Sequence, residues 1–260
     1  MRAADMRRVI GALTAWSALA LSACVSGGDG RVAPGRSSSE AATINLQLAV
    51  EYMKLGNLPV AREKMERALR QDPDNPSVQA TAGVLYERLG DEAKAEHYFA
   101  SAARAGKDDP NIQNSYAGFL CRKGKTVAGE KLFLEVARNP LYQTPEIAYT
   151  NAGVCVRGTP AGATAAETYF RQALNIRPYA PEAMLQLGDL MMERNEPQQS
   201  RELVEHFLAI NKPTPEVYWL GVRAERKLGD LTAAAGYARR LEAEFPGSGQ
   251  AQMLRSGIPR

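Results

Sequence analysis

The chain has 260 residues, 45% of them hydrophobic and 23% charged, which is enough apolar sequence for one or two packed domains. The formal net charge is +3, but without residues 1–23 there are 29 Lys and Arg against 28 Asp and Glu. This near balance gives no electrostatic basis for nucleic-acid binding, which requires a basic patch or stripe.

Residues 1–23 have the organisation of a secretory signal peptide. Arg7 and Arg8 precede an apolar run over residues 9–21, and two small residues follow it. The run is too short for a permanent membrane span, since a transmembrane helix needs about 20 apolar residues. We expect residues 1–23 to be removed from the mature protein.

The signal peptide ends in Leu21-Ser22-Ala23-Cys24, which resembles the lipobox of bacterial lipoproteins. The resemblance implies that Cys24 becomes the mature N-terminus and carries diacylglycerol on its sulfur and a further acyl chain, such as palmitate, on its amine. Several acyl chains anchor stably because each buried methylene contributes about 0.8 kcal/mol. Ordinary signal cleavage with an incidental Cys24 is the alternative.

The residues after Cys24 bear on location. Val25 stands where an Asp would retain a lipoprotein in the inner membrane, so resemblance to Gram-negative lipoprotein sorting implies the periplasmic face of the outer membrane. Residues 24–40 are rich in Gly, Ser and Arg, and such a composition cannot form a core. We expect them to form a flexible tether.

A sequence repeat organises the chain from residue 41 to residue 246. Gly56, Gly90 and Gly124 are spaced by 34, and small and large apolar residues recur around each of them. The pattern resembles the tetratricopeptide repeat, in which a glycine ends the first helix of a helical hairpin and a proline stops the second. Six units are predicted, at about residues 42–75, 76–109, 110–143, 146–180, 181–213 and 215–246.

The later units drift from the repeat pattern. One residue is inserted in the turn between Gly158 and Gly162, and Asn195 stands in place of the turn glycine of the fifth unit. Residues 247–260 are expected to form a tail or a partial cap. The predicted fold is an all-α right-handed superhelix of six hairpins that presents a concave groove.

Residues for catalysis or metal binding are not found in any recognisable arrangement. His97 and His206 lie in separate units without metal-ligand spacing, and no nucleophile elbow or phosphate-binding loop is present. We therefore expect no enzyme activity, no metal, no small-molecule substrate and no cofactor beyond the acyl groups on Cys24.

Cys121 and Cys155 are separated by one repeat period and lie late in the first helices of consecutive units. Adjacent parallel helices could bring them together, and the periplasm favours oxidation. The spacing predicts a disulfide bond, which would stabilise the fold by about 3–4 kcal/mol in the chain-entropy model. Two reduced, buried thiols are the alternative.

The concave groove should be lined by positions two, five, nine, twelve and thirteen of each first helix. Its amide side chains could bind a peptide backbone, and its apolar side chains could form pockets. In the first unit, the apolar residues could instead simply cover the end of the core. The candidate groove residues are Leu46, Val50, Met53, Asn111, Asn114, Arg122, Asn151, Met192 and Trp219.

The lipobox, the tether, six repeats and two cysteines together resemble the type IV pilus biogenesis lipoproteins PilF and PilW, which act as pilotins. Residues 114–121 and 149–155 are similar to that family's versions of the repeat. The resemblance implies binding to the pilus secretin and promotion of its localisation and multimerisation at the outer membrane, hence pilus biogenesis and twitching motility. The alternative is a lipoprotein adaptor that recruits cell-wall enzymes or outer-membrane assembly factors.

Overall fold

The structure is a computed structural model that describes residues 34–257, with side chains described from residue 39. These residues form thirteen α-helices and no strand. The helices are α1 Pro34–Lys54, α2 Leu58–Gln71, α3 Pro76–Arg88, α4 Glu92–Ala105, α5 Pro110–Arg122, α6 Thr126–Arg138, α7 Pro145–Arg157, α8 Gly162–Ile176, α9 Pro181–Glu193, α10 Pro197–Ile210, α11 Pro215–Leu228, α12 Leu231–Glu244 and α13 Gly249–Ser256.

Helices α1 to α12 form six antiparallel hairpins, one in each predicted repeat unit. Each hairpin contacts its sequence neighbours, and each first helix also contacts the first helices of the adjoining units. This is the arrangement of a solenoid, in which every repeat buries its apolar face against the next. The predicted all-α repeat fold is confirmed.

The first helix is longer than the sequence pattern predicts. Helix α1 begins at Pro34, inside the predicted tether, and a proline at the first helical position loses no intrahelical hydrogen bond. The prediction of a flexible tether therefore does not hold for residues 34–40. The predicted signal peptide, Cys24 and the rest of the tether lie outside the described residues.

The turns inside the hairpins explain the spacing of the glycines. Gly56, Gly90, Gly124 and Gly229 have φ angles of 74°, 76°, 72° and 83°, in the left-handed region that glycine adopts without strain. Asn195 takes the same conformation with φ 60°. Asn tolerates this region better than most residues do, so the substitution in the fifth unit preserves the turn.

Close approach of the two helices within a unit depends on small residues. A Cβ atom at Gly83 would lie 2.8 Å from the ring of Phe99, and one at Gly221 would lie 2.8 Å from the ring of Tyr237. Phe99 is 1% exposed. The repeated pairing of a small residue with a large ring therefore sets the helix separation.

The C-terminal end of the solenoid is covered by α13. Ala251 is fully buried there, and it belongs to a core cluster with Val217 and Leu241 against which Met253 and Leu254 also pack. The expected partial cap at residues 247–260 is thus a short helix over residues 249–256. Among residues 34–257, no helix is long and apolar enough to cross a membrane.

Candidate protein-binding groove

A groove runs along the first helices of the first four units. Two depressions, of about 300 and about 830 Å³, share Val84, Arg88 and Ser115 and are therefore adjacent. The smaller depression lies on α1 and α3, and the larger lies on α3, α5 and α7 with Phe133 of α6 at its floor. We refer to the two together as the α1–α7 groove.

Apolar side chains line much of the α1–α7 groove. Val50 and Met53 contribute to the smaller depression, Val84 contributes to both, and Val154 contributes to the larger one. Gly118 also lines the larger depression, where a Cβ atom would lie 3.1 Å from Nη1 of Arg122 and 3.8 Å from the Phe133 ring. The groove can therefore accept apolar side chains from another chain.

Amide groups lie beside these apolar surfaces. Asn151 donates a hydrogen bond from its Nδ2 to Oδ1 of Asn114 over 3.4 Å. The bond joins α5 to α7 and uses one polar atom of each side chain, so each keeps hydrogen-bonding capacity for a peptide backbone.

Charged groups in the groove are held by bonds between units. Arg122 donates from Nε and Nη2 to the two carboxylate oxygens of Glu87, over 2.7 and 2.8 Å. Arg88 donates to the backbone carbonyl of Met53 over 3.1 Å. Since the Glu87 carboxylate is paired with Arg122, and Lys54 is paired with Glu51, Arg88 gives this part of the groove a positive balance.

The wall of the groove contains a disulfide bond between Cys121 of α5 and Cys155 of α7, as the spacing predicts. The two Cα atoms are 5.4 Å apart, which is within the usual range for disulfides. The bond links the third unit covalently to the fourth. It thereby fixes the relative position of the helices that carry Asn114 and Asn151.

Tyr169 supports the same region from α8. Its hydroxyl donates to Glu130 of α6 over 2.8 Å, and it packs against the core cluster that contains Phe133. Burial, followed by the hydrogen bond to Glu130, raises the pKa of Tyr169 to about 12. The phenol therefore stays neutral and bonded at any physiological pH.

The structure brings five of the nine candidate groove residues together. Val50, Met53, Asn114, Arg122 and Asn151 all line the α1–α7 groove.

The other four candidates lie elsewhere. Asn111 is exposed at the start of α5, where it bonds to Asp109, and Leu46 packs against the first core cluster. Met192 packs against the C-terminal core cluster, and Trp219 is 7% exposed within it. Trp219 is therefore a core residue and offers no open groove surface, because α11 is enclosed by α9, α10, α12 and α13.

The sequence prediction left out the second unit, which the structure places at the centre of the groove. Val84, Glu87 and Arg88 line it, and they follow Val50, Met53 and Lys54 by one repeat period each. The repeat spacing was therefore a sufficient signal for these three residues. Phe133 and Ser115 carry no comparable signal.

A third depression, of about 670 Å³, lies on α10, α11 and α12 and has a mostly charged lining. Arg201 binds the buried carboxylate of Glu225 there, and Tyr218 donates to Glu244 over 2.9 Å. These two pairs account for part of the polar lining, and Glu205, Arg239 and Arg240 are exposed around them.

Catalytic or metal-binding chemistry is not evident in the described part of the chain. His97 and His206 are both exposed, and no group of three or more His, Cys, Asp or Glu among the described residues could hold a metal ion.

Comparison with known proteins agrees with this geometry. The tetratricopeptide repeat family matches residues 46–110 and 185–249, which together make up half of the chain. The chain belongs to the tetratricopeptide repeat family. The groove on its first helices is accordingly the concave surface of a repeat solenoid.

Two pilus proteins are similar over most of the chain. The type IV pilus assembly protein PilF of Pseudomonas aeruginosa is 25% identical over 232 residues, which cover 89% of this chain and 92% of PilF. The solved structure of PilW, a widely conserved type IV pilus biogenesis factor, is 28% identical with a TM-score of 0.70 and covers 83% of this chain and 98% of PilW. A structure of P. aeruginosa PilF has a TM-score of 0.66 at 22% identity, covering 86% of this chain and 100% of that one.

These similarities confirm the predicted resemblance: the chain is a PilF/PilW-like tetratricopeptide repeat protein. They extend over nearly the full length of both relatives, so the likeness concerns the whole solenoid and not a single hairpin.

Proposed function

We propose that this protein is a lipid-anchored, pilotin-like factor that binds the type IV pilus secretin in the α1–α7 groove and promotes its multimerisation at the outer membrane. The observation that carries the proposal is the pair of adjacent depressions on the first helices of a chain similar to PilF and PilW along its length. It is a protein-binding role that requires no catalysis.

The lining of the groove fits an extended segment of a partner protein. Val84 and Val154 can contact alternate apolar side chains, and the amides of Asn114 and Asn151 can bond the backbone between them. Arg88 favours an acidic residue at the end of the segment near α1. A pre-formed groove lowers the ordering cost of binding.

The acyl anchor would determine where in the cell the protein is located. Acylated Cys24 would hold the protein on the periplasmic face of the outer membrane, so that secretin subunits bound in the groove become concentrated where the ring assembles. The two parts of the proposal can therefore be tested by separate substitutions in one strain.

The test is complementation of a deletion strain, scored by heat-resistant secretin multimers and by twitching. Val84→Arg places a charge at the junction of the two depressions, and we expect multimers and twitching to be lost with the protein folded and correctly located. Cys24→Ala should leave the groove intact but abolish outer-membrane location and reduce multimers.

The matched control is Val127→Arg, since Val127 is 81% exposed on α6 and lies outside the groove. It should complement fully. Full secretin assembly in the Val84→Arg strain, with normal binding to purified secretin, would exclude the groove as the binding site. Intact multimers in the deletion strain itself would exclude the pilotin role.

A further inference from the structure

Two apolar residues on the side of α1 that faces away from the solenoid are uncovered. Ile44 and Leu48 are 52% and 40% exposed. Their spacing of four residues places them on one side of the helix, and the exposed Glu51 lies on the same side, three residues after Leu48. We call Ile44 and Leu48 the outer face of α1.

The next repeat shows what this face would contact inside a solenoid. Val78 and Ala82, one repeat period after Ile44 and Leu48, are 1% and 0% exposed, and they belong to the core cluster that includes Met65 of α2. Terminal repeats of solenoids normally present a polar outer surface. At the C-terminal end α13 provides a cover, but no described element covers the outer face of α1.

One departure from the repeat pattern argues against a further helix packed on the outer face of α1. Leu85, which is fully buried, corresponds to Glu51, whose side chain is 64% exposed and pairs with Lys54 over 2.7 Å. A helix seated on α1 as α2 is seated on α3 would remove this carboxylate from water. A membrane surface need not do so, because Glu51 lies toward the C-terminal end of α1 and can stay among headgroups and water while Ile44 and Leu48 reach the acyl boundary.

The length of chain before α1 limits the distance to the anchor. Residues 25–33 separate Cys24 from Pro34, and even fully extended they span only about 30 Å. This is close to the length of α1 itself, about 30 Å for 21 residues. An anchored chain therefore keeps the outer face of α1 at high local concentration beside the bilayer, where even a weak surface affinity is sufficient.

We propose that the outer face of α1 lies in the interfacial layer of the membrane that holds Cys24. The contact fixes the first repeat against the bilayer and so sets the direction in which the α1–α7 groove extends from it. Glu51 and Lys54 neutralise each other on this side, so the contact depends on apolar insertion rather than on anionic lipid. The inference rests on the acylation of Cys24 that forms part of the proposed function.

The test uses the full lipoprotein reconstituted in phosphatidylethanolamine–phosphatidylglycerol vesicles that contain brominated lipid, a short-range quencher of tryptophan. Leu48→Trp places a reporter on the outer face, and Val127→Trp places one on the exposed surface of α6. Trp219 is buried and contributes the same background to both variants. We expect Leu48→Trp to shift to shorter wavelength and lose most of its emission, and Val127→Trp to change little.

Three outcomes would overturn the inference. Equal, weak quenching of the two reporters would show that α1 stands off the bilayer. Protection of Leu48→Trp only after addition of purified secretin would make the outer face a protein-docking surface. Absence of acyl groups from the Cys24 peptide by mass spectrometry would remove the anchor. Secretin assembly is scored separately, so failure of the membrane contact is distinguishable from failure of the pilotin role.

Discussion

Gly129 shows how one residue accommodates the disulfide. Ala61 and Ala95 occupy the corresponding place in the first two units, and both are fully buried. A Cβ atom at Gly129 would lie 2.9 Å from the carbonyl oxygen of Ala117 and still closer to the sulfur of Cys121. The sulfur thus takes the space that a methyl group fills in the other units.

Gly129→Ala should therefore destabilise the protein, although alanine is the better helix former. We expect a loss of about 1–3 kcal/mol from overpacking against the disulfide, measured by urea denaturation. The control is Gly236→Ala in α12, where a Cβ atom meets nothing within 4 Å. That change should stabilise by about 0.5–1 kcal/mol, as expected for a helix interior. Equal effects of the two substitutions would show that the Cys121 region has room to relax.

At the scale of elements, the turns determine where each hairpin folds back. Five of the six hairpins use a residue with positive φ after the first helix, and the fifth unit uses Asn195. The fourth hairpin differs, because Gly158 has φ −81° and the inserted residue lengthens the turn. The two turns can therefore be distinguished by substitution with alanine.

Asn195→Ala should destabilise the protein by up to about 1 kcal/mol, because both residues carry a Cβ atom that meets the following carbonyl in the left-handed region, but only the short polar side chain of Asn offsets part of that cost by local hydrogen bonding. Asn195→Gly should be neutral or stabilising at the same position. Gly158→Ala is the matched control in the preceding unit, where neither φ nor space opposes a methyl group. Thermal unfolding followed by circular dichroism ranks the three, and a tolerated Asn195→Ala would contradict the assigned conformation.

At the scale of the whole molecule, contacts between units hold the superhelix together. The disulfide is a covalent contact between the third and fourth units. Ion pairs join other neighbouring units, such as Arg122 with Glu87 and Arg157 with Glu193. The stability of a solenoid is close to a sum over the interfaces between neighbouring units. A contact at one interface therefore stabilises the two units it joins more than it stabilises distant units.

Removal of the disulfide is expected to lower stability by about 3–4 kcal/mol in the chain-entropy model, since the bond closes a loop one repeat period long. The comparison is between oxidised protein, reduced protein and the Cys121→Ser/Cys155→Ser variant, by melting temperature and by hydrogen exchange. Protection should fall most in α5 to α8 and least in α11 and α12. An unchanged melting temperature on reduction, with both thiols then titratable, would contradict this prediction.

The sequence alone determined the repeat architecture, because each hairpin depends on residues within its own repeat period and on the adjacent unit. The same spacing was enough to pair Cys121 with Cys155, and it would have placed Val84 and Arg88 in the groove had it been applied to the second unit.

Only the tertiary structure decided which first-helix positions remain open. Trp219 occupies a position expected to face the groove, but α13 and the neighbouring helices enclose it in a core cluster with Ala251. Conversely, Leu48 has the pattern of a buried residue and is exposed, because no described helix precedes α1. Burial depends on which neighbours a unit has, and a repeat motif cannot specify that at the two ends of the array.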